Sequence, residues 1–86
     1  MRLNIEVTRD DIRNGIRASC WQCPVARAAS RAVQGDVKVG RVFLYMYGDK
    51  DSPTQLSLPL VVREFIHQFD CYGTGKPFTF EMEINP

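Results

Sequence analysis

The chain has 86 residues, 44% hydrophobic and 24% charged, with 11 Lys/Arg against 10 Asp/Glu for a formal net charge of +1. That composition excludes a disordered chain and fits an ordinary globular domain. No apolar run approaches the ~18 residues that cross a bilayer, and the alternating start "MRLNIEVTRDD" lacks the apolar block of a signal peptide.

A single domain over residues 1–86 is therefore expected, in the cytoplasm and without membrane association. At this length a fold buries only ~60–65% of the surface of its unfolded chain, enough for a core without staples. Three cysteines, an odd count, do not suggest a disulfide framework in a reducing compartment. The charge is uneven. Residues 1–43 carry eight Lys/Arg against four Asp/Glu, for +4, and residues 44–86 carry three against six, for −3.

Leu3, Ile5 and Val7 alternate with Arg2, Asn4 and Glu6, the pattern of a half-buried strand. Thr8 followed three residues later by Asp11 reads as an acidic capping box, opening a short helix in "TRDDIRNGIR" with Ile12 and Ile16 on one face. Gly15 weakens its interior. A loop over 18–23 leads to Pro24 at a first helical position, where its missing N–H costs nothing. Val25, Ala28, Ala29, Ala32 and Val33 then form an apolar stripe, and Gly35 ends it.

Residues 37–47, "VKVGRVFLYMY", form the longest strand-like stretch, with a bulge or bend at Gly40. "GDKDSPT" is a turn by composition. Residues 55–58 are a short strand, and Pro59 starts a helix with Val61, Val62, Phe65, Ile66 and Phe69 at helical spacing. "CYGTGKP" is a loop, too short for a P-loop and followed by a strand rather than a helix. "FTFEMEI" closes with Phe78, Phe80, Met82 and Ile84 inward and Thr79, Glu81 and Glu83 outward.

The expected order is β-α-α-β-β-α-β. The polar rows of the first and last strands imply one wet face. The expected fold class is α+β, a two-layer sandwich with helices on one face of a mainly antiparallel four-stranded sheet. A ferredoxin-like variant is one form of it, with the terminal strands as neighbours and Glu81 and Glu83 near Arg2.

Four patterns could carry function. Cys20 and Cys23 have C-x₂-C spacing; a redox role would make Cys23, at the helix start, the activated thiol. The structural alternative packs Cys23 and Trp21 as small and large hydrophobes beneath the sheet. His67 and Cys71, four apart on a helix, would complete a Cys₃His zinc set with Cys20 and Cys23. Against zinc, every element already has an apolar face for a core, and no metal or other cofactor is expected.

Arg9, Arg13 and Arg17 repeat every four residues, as do Arg27 and Arg31, so a basic surface could meet an acidic protein or nucleic acid. A near-neutral domain is atypical of nucleic-acid binders, and a solvated helix face is the simpler account. Phe43, Tyr45 and Tyr47 share one strand face while Val42, Leu44 and Met46 share the other. One row can be core; the second would be a partner-binding or homodimer surface unless a loop or helix covers it. A single histidine leaves little acid–base inventory, so an enzyme is not expected.

"CxxCPVAxA", here Cys20, Cys23, Pro24, Val25, Ala26 and Ala28, precedes "LPxxVxxFIxxFDxxGxxxPFxF". The second stretch is carried by Leu58, Pro59, Val62, Phe65, Ile66, Phe69, Asp70, Gly73, Pro77, Phe78 and Phe80. The combination resembles small uncharacterised bacteriophage and prophage proteins over about two thirds of the chain. The resemblance implies a phage accessory protein acting in the bacterial host cell, of the class that binds and inhibits a host or defence protein. The expectation is a non-catalytic protein binder, with nucleic-acid binding or a zinc-structured module as alternatives.

Overall fold

The computed structural model describes residues 2–47 and 53–83. Strand β1 (Arg2–Val7) leads into α1 (Arg9–Asn14) and α2 (Pro24–Val33). Then come β2 (Asp36–Val39), β3 (Phe43–Tyr47), β4 (Thr54–Ser57), α3 (Leu60–Tyr72) and β5 (Phe78–Glu83). The class is α+β, and every strand pairing among the described residues is antiparallel.

The sheet arrangement departs from expectation. Among the described residues five strands form two sheets, β1-β5 and β2-β3-β4, instead of one sheet of four, and the order becomes β-α-α-β-β-β-α-β. The cause lies in the 37–47 run. At Gly40 the chain does not merely bend but folds back, with the Gly40 N–H donating to the Phe43 carbonyl at 2.8 Å. One long strand thus becomes a β2–β3 hairpin. The ferredoxin-like variant fails for a related reason: it needs one continuous sheet, whereas β1 pairs with β5 and the hairpin strands pair among themselves. The expected turn over 48–54 lies mostly outside the described residues, as does Ile84.

The terminal strands are neighbours as expected. Leu3, Ile5 and Val7 sit opposite Met82, Phe80 and Phe78, so alternation on both strands aims one apolar face inward. Arg2 lies 3.7 Å from Glu81 on the wet side. Helix α2 packs against β1, β2 and α1, and thereby bridges the two sheets. Its small side chains permit this: Val25, Ala26, Ala28 and Ala29 are all buried. The stripe is rotated from the expected one, with Ala26 inside and Ala32 exposed.

In α3, Val62, Ile66 and Phe69 point inward while Val61 is 56% exposed. Phe65 is partly buried, its ring centroid 4.8 Å from that of Phe78. One hydrophobic cluster includes both sheets, α2 and α3. No helix among the described residues is long and apolar enough to cross a membrane.

Candidate functional site

The capping box forms as its spacing predicts. The Asp11 N–H donates to Thr8 Oγ1 at 3.2 Å, and Asp11 Oδ2 accepts from the Thr8 N–H at 2.9 Å. The helix it starts is shorter than expected. It ends at Asn14, Gly15 is its extended C-cap, and Ile16 is exposed. Gly15 is required by close approach rather than tolerated, because a Cβ there would lie 2.6 Å from Pro24 Cδ.

Asp11 is also fully buried, which its sequence position did not suggest. Arg31 reaches it with a two-pronged contact, Nη1 to Oδ1 at 2.9 Å and Nη2 to Oδ2 at 2.7 Å. Arg27 Nε stands 3.7 Å from the same carboxylate. Burial alone would raise the Asp11 pKa, but the hydrogen bonds from Arg31 and then Thr8 outweigh it and hold the carboxyl below its usual range.

The arginines expected as a basic surface are thus divided. Arg27 and Arg31 are engaged with Asp11. Arg17 donates through Nε and Nη2 to the Asp70 carbonyl at 3.1 and 2.9 Å, and through Nη2 to the Cys71 carbonyl at 2.8 Å. These carbonyls belong to the last turn of α3, where a cation complements the helix dipole. Arg9 and Arg13 are exposed on α1 and make no side-chain hydrogen bond or ion pair among the described residues.

The segment between α1 and α2 is held by main-chain bonds. The Ile16 N–H donates to the Gln22 carbonyl and the Val39 N–H to the Cys20 carbonyl, both at 2.8 Å. Cys23 is the N-cap of α2, its Sγ accepting from the Ala26 N–H at 3.4 Å. Burial pushes its thiol pKa up, the reverse of an activated nucleophile. Trp21 does not pack beneath the sheet. It is 51% exposed, with its ring centroid 5.4 Å from that of Tyr47.

The zinc set does not assemble. His67 and Cys71 meet, with Sγ 3.9 Å from Nε2, but no group of three or more metal-ligating side chains converges among the described residues. Cys20 is half-buried, Cys23 buried and Cys71 exposed, and all three are free.

On the three-stranded sheet, Val37, Val39 and Leu44 enter the core. Alternation then sends Phe43, Tyr45 and Tyr47 to the other face, where each stays partly exposed. Cross-strand register places Lys38 and Gln55 either side of Tyr45, and Asp36 beside Tyr47. Lys38 Nζ lies 5.9 Å from the Tyr45 ring centroid. The Phe43 and Tyr45 centroids are 6.4 Å apart, and Trp21 extends the row past Tyr47. Neither loop nor helix among the described residues removes this row from solvent.

A separate cleft of about 470 Å³ lies between the β2–β3 turn and α3, lined by Ala18, Arg41, Arg63, His67 and Asp70 among others. Sequence reasoning did not single out Arg41 or Arg63, and named Asp70 only as part of the resemblance, without a site role. The four-residue spacing of Arg63 and His67 was the one available signal.

No family model matches the chain, and no curated protein or solved structure does either.

Proposed function

We propose that this chain is a non-catalytic binding protein that engages a protein partner through the outward face of its three-stranded sheet. One observation carries the reading: Phe43, Tyr45 and Tyr47 form a partly exposed aromatic row, lengthened by a half-exposed Trp21 and edged by Lys38, Asp36 and Gln55. Aromatic side chains inside a polar rim are the composition of interface centres, and Trp and Tyr dominate binding energy there. The sequence resemblance to phage accessory proteins suggests a host or defence protein as the target, in the bacterial cytoplasm. Nucleic-acid binding is less well supported, since Arg17, Arg27 and Arg31 already have partners within the molecule.

The test is affinity purification from bacterial host extract with the parent chain and three variants. A specific protein should be retained by the parent. Its retention should fall about tenfold or more with Tyr45→Ala or Trp21→Ala, and stay unchanged with Arg13→Ala. Recovery of nucleic acid instead, lost steeply with added salt and with Arg13→Ala, would overturn the reading. A native mass that doubles with concentration and reverts on Tyr45→Ala would point to a homodimer in its place.

A further inference from the structure

The cleft between the β2–β3 turn and α3 lies apart from the aromatic row and has a different chemistry. Arg63 and His67 stand one turn apart on α3, and Arg41 enters from the turn after Gly40. Among the described residues, neither Arg41 nor Arg63 makes an ion pair. The one carboxylate in the lining, Asp70, has Oδ1 accepting from the Ala18 N–H at 2.9 Å, and its single charge stands against the two guanidinium charges of Arg41 and Arg63.

The wall that holds Asp70 in place is strained. Ala18 has φ of +57°, a left-handed conformation that alanine disfavours, and the Arg17 contacts to the end of α3 fix it there. Strain of this kind gathers at ligand sites, where surrounding structure maintains it.

We propose that this cleft binds a small phosphorylated molecule, its phosphate held by Arg41 and Arg63 with the His67 ring beside them. Guanidinium forks match phosphate oxygens in pairs, and His67 can add a ring N–H. The volume of about 470 Å³ falls in the range of small-molecule sites and far exceeds a bare phosphate. The exposed Ala18 in the lining offers apolar surface to the organic part of the ligand.

Inorganic phosphate and a nucleoside monophosphate are the probes, each titrated into ¹⁵N-labelled protein while backbone amide shifts are followed. Saturable shifts at Arg41, Arg63 and His67 are expected, with tighter binding of the nucleoside monophosphate. Arg63→Gln and Arg41→Gln should each weaken binding about tenfold or more, the scale of a lost charged hydrogen bond. Arg13→Gln should leave it unchanged, and the amide spectrum of each variant reports its fold. Equal affinity for the two probes would overturn the assignment of an organic phosphate. Shifts that do not saturate, or that persist in both cleft variants, would overturn the site itself.

Discussion

Arg31 grips Asp11 from twenty residues further along the chain, joining the first turn of α1 to the last turn of α2 through two hydrogen bonds of 2.7 and 2.9 Å. The same carboxylate caps α1 through Thr8. Asp11→Ala removes both roles and leaves Arg27 and Arg31 without their shared partner. We expect a loss of about 2–3 kcal/mol in a urea melt, the scale of a charged hydrogen bond plus a cap. A change within a few tenths would mean the contact contributes nothing net.

Acid should expose the same pair. The Asp11 carboxyl has a lowered pKa in the folded chain, so its contribution is fully present above the ordinary value of about 3.9. It drains away as pH falls from there through the lower native value. Comparing stability against pH for the parent and Asp11→Asn should show the two curves converging below that point. Parallel curves would sink this account.

Gly15 and Ala18 predict opposite signs within four residues. A methyl group at Gly15 meets Pro24 Cδ at 2.6 Å and the Asp11 carbonyl oxygen at 2.7 Å, and neither neighbour can swing aside. Gly15→Ala should cost about 1–3 kcal/mol, as overpacking does. Ala18→Gly relieves a left-handed alanine worth about 1–2 kcal/mol and forfeits part of that to unfolded-state entropy. A net gain of about 0.5 kcal/mol is expected in the same melts.

Trp21→Ala should be mild for stability. A ring that is 51% exposed and has one aromatic neighbour contributes about 1 kcal/mol, not the 3–5 of a buried core aromatic. Chemical denaturation of the variant measures this directly, and a loss near the upper range would place the indole inside.

The thiols should react in order of exposure. Cys71 lies on the surface of α3, Cys20 is half-covered, and Cys23 is buried with its pKa raised. Timed alkylation with iodoacetamide, read by peptide mass spectrometry, should label Cys71 first and Cys23 last. Early labelling of Cys23 would contradict its role as a packed N-cap.

Short-range features were legible in the sequence because each rests on few residues. Thr8 and Asp11, Pro24, and the alternation of Phe78, Phe80 and Met82 all formed as their spacing implied. The sheet division was not legible, because Gly40 can serve either a bend within one strand or a reversal between two, and only pairing partners decide. The arginine periodicity was visible, but what Arg17 and Arg31 bind was not. Their partners lie 53 and 20 residues away, and periodicity carries no information about such distant groups. Trp21 escaped for a similar reason: its neighbour Tyr47 is set by the docking of a loop that has no periodic pattern of its own.

The pairing of Arg2–Val7 with Phe78–Glu83 has a consequence for biosynthesis. As the polypeptide leaves the ribosome, Arg2–Val7 must wait, with one apolar flank uncovered, until the distant segment that pairs with it has been translated. Such late closure slows folding and invites chaperone capture. The hairpin formed by residues 36–47, whose strand-to-strand pairs are close in sequence, can close long before.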